Sequence, residues 1–127
     1  MPNRKKKNQP EKLISNAIID YLQLVPGCIV MPIDTVGMWD PTQRKFRKKK
    51  PNKGRVFYTG VADILVHHDK LGLIAIEVKS ETGVLSKVQK EFRDTLVATN
   101  GRHIVARSVT EVAAYFEVCL KTSSLSL

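Results

Sequence analysis

Cysteine is scarce in this chain, and its scarcity excludes two classes at once. Cys28 and Cys119 lie far apart in apolar surroundings. They have neither the number for a disulfide framework nor the spacing for a zinc site, so buried free thiols are expected. A long uncharged apolar run is also missing. The basic N-terminal residues lead into 13–25, which Asp20 interrupts, so neither a signal peptide nor a membrane-spanning segment is expected. These absences point to a reducing, intracellular (cytoplasmic) compartment and to no membrane partner.

Acidic residues are missing where basic ones crowd. The 127 residues, enough for one compact domain, carry Lys+Arg 21 against Asp+Glu 12, a net charge of +9. Residues 1–12 hold five basic groups and one acid, while residues 44–55, "RKFRKKKPNKGR", hold eight basic groups and no acid. The remainder has 8 basic and 11 acidic groups, so the positive excess sits in two short segments on a mildly acidic body. Such runs are often only solvated chain. Two on one small domain favour a polyanion, nucleic acid ahead of a membrane surface. The candidates for phosphate contact are Arg4, Lys5, Lys6 and Lys7 in one segment. In the other they are Arg44, Lys45, Arg47, Lys48, Lys49, Lys50, Lys53 and Arg55. Such contacts set affinity and salt dependence, not sequence choice. Trp39 and Phe46 lie among them, placed either to stack on bases or to anchor the segment.

Periodicity divides the chain into a flexible basic arm (1–9), a domain (10–122) and a short tail (123–127). Leu13, Ala17, Ile18, Tyr21, Leu22 and Val25 follow helical steps, and Pro26-Gly27 ends that helix. A strand at 28–33 follows, then a long basic loop over 34–55. Strands are expected near 56–59, 62–67 and 73–79, a helix over 86–98, a strand over 103–107 and a helix over 109–121. Ser108 and Glu111 have the spacing of a capping box. This order predicts a single α/β domain with a mixed central β-sheet flanked by helices.

One strand pair carries charge where none is expected. "GVADILVHHDKLGLIAIEVK" (60–79) is two apolar runs around a turn, with Asp63 in one and Glu77 and Lys79 in the other. A three-residue turn centred on Lys70 pairs positions whose numbers sum to 140 and sets Asp63 opposite Glu77. Directly opposed side chains have Cβ atoms about 4.5–5.5 Å apart. Glu77 and Lys79 share one face and Val78 the other. The ordinary alternative is a surface salt bridge between Lys79 and Glu77. Near-continuous apolar runs imply burial on both faces, however, and two acids buried against one base leave an excess negative charge that is expensive in an apolar setting. A hard divalent cation, Mg²⁺ or Mn²⁺, removes that excess and takes oxygen ligands. With Lys79 beside it, such a site suits phosphodiester hydrolysis. His67, His68 and His103 lack ligand spacing to Asp63 and are expected at exposed strand ends.

"GVADI", "EVK", "GVLSKVQKEF" and "GRHIVARSVTEV" together resemble the VRR-NUC domain of the PD-(D/E)xK nuclease superfamily. The resemblance is particularly to its small stand-alone members from phages and bacteria, and covers roughly residues 56–118. The resemblance implies a restriction-endonuclease-like fold and metal-dependent cleavage of DNA. It gives Asp63 and Glu77 as metal-binding acids, the Val78 carbonyl as a further ligand, and Lys79 as the catalytic lysine. By the same resemblance Gln89 matches the glutamine that supports the site from the next helix. Its alternative is a capping box with Ser86; placed near Glu77, it would instead bond Lys79 or a metal-bound water. Stand-alone members resemble dimeric enzymes that cut four-way junctions, which implies a Holliday junction resolvase acting as a homodimer. The alternatives are a nuclease for flaps, nicks or single strands, and a catalytically silent DNA-binding module. Two departures stand out. Ala62 occupies the usual proline position. The glutamate of the family's first helix would fall near Leu13 or Ser15, leaving Glu11, one turn earlier, to take a metal role or merely to cap the helix from Asn8.

Overall fold

The computed structural model describes residues 9–33, 38–40, 42, 44–47 and 60–125, with side chains at 10–33, 42, 44 and 60–122. The expected strand at 56–59 lies outside these residues.

Helix α1 (Gln9–Gln23) turns a narrower stripe inward than its periodicity suggested. Ile18 and Leu22 are fully buried, with Ile14, Tyr21 and Val25 packed around them. Leu13 and Ala17, expected on the same face, are exposed. The stripe centres on the i, i+4, i+8 line through Ile14, Ile18 and Leu22, which leaves both on the solvent side. The helix ends as Leu24 and Val25 N–H groups bond Tyr21 and Leu22 carbonyls. Gly27, at φ 81°, then turns the chain.

Strand β1 (Cys28–Pro32) pairs antiparallel with β4 (Ile64–His68). Between them, in the stretch expected to be loop, β2 (Met38–Asp40) and β3 (Lys45–Arg47) form a separate antiparallel hairpin. Its turn holds Arg44 at φ 50°. Strand β4 pairs antiparallel with β5 (Gly72–Val78), from Ile64↔Ile76 to His68↔Gly72. Every pair sums to 140, so the next position sets Asp63 across from Glu77 as the turn required. The buried His68 closes that turn, its Nδ1 accepting from the Lys70 N–H (3.0 Å) and the Leu71 N–H (3.3 Å). The histidines therefore divide: His67 is exposed, while His68 is buried and His103 half-buried.

Helix α2 (Lys87–Ala98) crosses from β5 to the parallel strand β6 (Arg102–Ala106), and α3 (Val109–Leu125) closes the chain. The sheet order is β1-β4-β5-β6. At the start of α3 the Glu111 N–H bonds Ser108 Oγ, while the Glu111 carboxylate accepts from the Arg107 N–H. The expected box is therefore present but displaced by one residue on one side.

Strand alternation separates two unequal faces. Ile64, Val66, Ile74, Ile76, Val78 and Ala106 meet Ile18, Leu22, Val112 and Phe116 of α1 and α3 in one core. Each fully buried Val, Leu, Ile or Phe side chain contributes about 1.5–3 kcal/mol. The opposite face is only partly covered. Ala75 and Glu77 are buried there, but Leu73 is 37% and Ile29 61% exposed. Helix α2 has no buried residue. The expected burial on both faces holds for the end of β5 and fails toward β1. Among the described residues, no helix is long and apolar enough to cross a membrane.

Candidate active site

The end of β5 delivers a carboxylate to the thinly covered face. Ile76 and Val78 point into the core, so Glu77 points away from it, yet only 3% of the residue is exposed. Its Oε1 accepts from Gln89 Nε2 at 2.9 Å and lies 3.9 Å from Lys79 Nζ. The Lys79 side chain is 15% exposed, so this ion pair is screened far less by water than a surface pair. Across from Glu77, Asp63 Oδ2 accepts from the Val78 N–H at 2.8 Å. One peptide unit of β5 thus ties the first acid to the strand that carries the second. Asp63, Glu77 and Lys79 come together as the register implied.

Gln89 combines the capping box with a role at the site, two readings that its sequence context offered as alternatives. Its carbonyl oxygen accepts from the Ser86 N–H (2.9 Å), and Ser86 Oγ accepts from the Gln89 N–H (3.3 Å), completing a capping box. Its amide nitrogen meanwhile donates to Glu77. The cap fixes the side chain, and the fixed side chain aims its donor at the acid. The partner observed is Glu77 itself, where Lys79 was one of those expected.

Glu11 arrives from α1, far away in sequence. Its Oε1 accepts from the Ser80 N–H at 3.1 Å, directly after Lys79. Among the described residues no group of three or more His, Cys, Asp or Glu side chains is gathered as a metal cluster would be. Asp63 and Glu77 therefore stand as a pair of hard oxygen donors, with Glu11 holding the adjacent backbone. A pair of carboxylates fits magnesium or manganese, which bind through one or two of them and keep several waters.

Arg107 was not anticipated. Its Nη1 donates to the carbonyls of Ser80 and Gly83 (2.8 Å for Gly83), with Glu81 O at 3.4 Å. It clamps the 80–83 turn, whose Gly83 packs against the Lys79 stem: a Cβ built there would lie 3.3 Å from Lys79 Cδ. Strand parity was the available signal, because 103, 105 and 107 share the face of Glu77.

The basic candidates are not gathered at this site by any described contact. Arg44 is exposed, and Lys45 and Arg47 lie in β3. Arg4, Lys5, Lys6, Lys7, Lys48, Lys49, Lys50, Lys53 and Arg55 fall outside the described residues.

The described residues form a single small α/β domain with a mixed four-stranded sheet, the separate β2–β3 hairpin and three helices. It is similar to a solved structure described as "VRR_NUC domain", with a TM-score of 0.58 and 16% sequence identity. The match covers 85% of this chain and 95% of that one. No family model and no curated protein matches the chain. The fold is that of a VRR-NUC domain; at this identity the likeness carries the fold, and the chemistry rests on the residues just described.

Proposed function

We propose that the chain is a metal-dependent endodeoxyribonuclease, and that its substrate is branched DNA, a Holliday junction cut by a homodimer. The observation that carries the nuclease reading is the setting of Glu77. Its carboxylate is buried between the Gln89 amide and the Lys79 ammonium, opposite Asp63, on a fold shared with a VRR-NUC domain. Asp63 and Glu77 would hold Mg²⁺ or Mn²⁺, with the Val78 carbonyl as a further oxygen. The bound ion supplies charge stabilisation at the phosphate and a more acidic water.

The remaining work belongs to the chain. Gln89 fixes the orientation of Glu77, so the acid needs no reorganisation when DNA arrives. The Asp63–Val78 hydrogen bond holds the first acid in register with the second. Lys79, braced by the turn that Arg107 clamps, presents an ammonium to the charge that develops on the phosphate and orients the attacking water. Glu11 enters through Ser80, keeping the end of β5 in place. The basic segments supply phosphate contacts, and two active sites related by a two-fold axis suit paired cuts across a junction.

The test is a labelled panel of four-way junctions, flaps, nicked duplexes and single strands, with Mg²⁺ or Mn²⁺, for wild type and Lys79→Ala. Wild type should cut the junction in paired positions, while Lys79→Ala binds it equally well and leaves it intact. Preferential cutting of flaps or single strands, or a strict monomer on DNA, would remove the resolvase assignment. Binding without any cutting by wild type would remove the enzyme and leave a DNA-binding module.

A further inference from the structure

We propose that Gly60 is a positioning residue for the site: by having no side chain, it sets the spacing between the segment leading into Asp63 and the first turn of α2. That spacing holds Gln89 on Glu77. The inference rests on the nuclease reading for its activity arm and on geometry alone for the rest.

Gly60 is buried. A Cβ built on it would lie 2.6 Å from Gln89 N and closer still to the Val88 carbonyl group. Real Cβ atoms essentially never approach other atoms within 3.0 Å. All three obstructing atoms are backbone of α2, so no rotamer change relieves the clash. Conformation does not explain the glycine either, since the positive-φ glycines are Gly27 and Gly72. Close approach of two backbones is what remains.

The consequences converge on one bond. Gly60 precedes Asp63 by three residues, and Asp63 is tied to β5 through Val78. The obstructed peptide, Val88–Gln89, belongs to the turn closed by the capping box, whose Gln89 Nε2 reaches Glu77 Oε1 at 2.9 Å. With no buried residue of its own, α2 is the partner that yields. A displacement of about 1 Å along that bond takes it out of hydrogen-bond range. Gly60 therefore acts on the site through Gln89, without touching either acid.

The test compares Gly60→Ala, Gln89→Ala, the double variant and Gly101→Ala. In the last, an added Cβ meets the Leu96 side chain at the other end of α2, so it disturbs the helix away from Gln89. Glutamine side chains are labelled with ¹⁵N, and exchange of the Gln89 amide protons with water is followed by NMR alongside cleavage and cooperative unfolding. Gly60→Ala should fold, since the core on the opposite face is untouched. Its Gln89 amide should exchange as fast as an exposed glutamine, whereas wild type and Gly101→Ala keep it slow. Cleavage should fall equally in Gly60→Ala and Gln89→Ala, and no further in the double variant. An unchanged Gln89 amide in Gly60→Ala, additive losses in the double variant, or failure of Gly60→Ala to fold would each overturn the proposal. If wild type cuts no DNA, the nuclease reading falls by itself and the amide comparison still decides the role of Gly60.

Discussion

At position 89 the side chain must accept from the Ser86 N–H and donate to Glu77; glutamate would only accept, and leucine would do neither. The sequence showed each half of this requirement separately, because S-x-x-Q is a local pattern while the reach to Glu77 depends on how α2 sits over β5. His103 illustrates what a residue owes to burial. Desolvation holds its imidazole below the ordinary value of 6.5, Arg93 pushes it the same way, and Asp94 opposes. Its Nε2 is buried with no hydrogen-bond partner among the described residues, and its ring meets Phe92 edge-on. The unfolded chain takes up this proton near pH 6.5 and the folded protein only at lower pH. The stability that His103 leaves intact above pH 6.5 is therefore lost as pH falls below it, until the folded form is protonated too. His103→Leu should flatten that part of the acid limb and leave stability at pH 8 close to wild type, as read from urea titrations at several pH values. Nothing in "GRHIVAR" announced this, since burial of a strand-end histidine depends on a helix packed over it.

Among the elements, the turn between β5 and α2 connects most of the site. Ser80 gives its N–H to Glu11 and its carbonyl to Arg107, and Gly83 packs on the Lys79 stem. Arg107→Ala should destabilise the protein by about 1–2 kcal/mol, the size of a lost charge-assisted hydrogen-bond set at a half-buried position. Cleavage should fall by more than that destabilisation accounts for, because Lys79 loses its wall; denaturant titration and single-turnover cleavage of one sample measure both. Arg107→Lys should restore only part, since one ammonium cannot reproduce the fork of a guanidinium. At this scale the sequence was most legible where periodicity and turn chemistry agree. The β4–β5 register followed from a three-residue turn and two apolar runs, and with it the meeting of Asp63, Glu77 and Lys79. Legibility failed where a pattern is weak or tertiary. The β2–β3 hairpin has three-residue strands set among charges and prolines. The inward stripe of α1 is shifted off Leu13 and Ala17 because α3 and the sheet, not the helix alone, decide which side is inside. Glu11 was visible only as an acid near the right turn of α1; its bond to Ser80 spans 69 residues.

For the whole molecule, charge and core are distributed differently. The positive excess lies in residues 1–12 and 44–55, while the rest is mildly acidic. Removing residues 1–8 takes away Arg4, Lys5, Lys6 and Lys7. If all four meet phosphates, the slope of log K against log salt should become shallower by about 3 to 4. Turnover at saturating DNA should be retained, since phosphate contacts of this kind set affinity and register rather than the chemical step; salt-dependent binding isotherms read the first and single-turnover rates the second. The main hydrophobic cluster, by contrast, lies on the side of α1 and α3, and α2 buries no residue. A protein built this way has two free energies of opening rather than one. Amides in β4 and β5 should report the global one, and those in α2 a smaller one of its own. Each brief departure of α2 withdraws Gln89 from Glu77 while the sheet stays whole. Heat would then silence the site before it melts the domain, and a DNA duplex lying along α2 would restore the difference by holding the helix down.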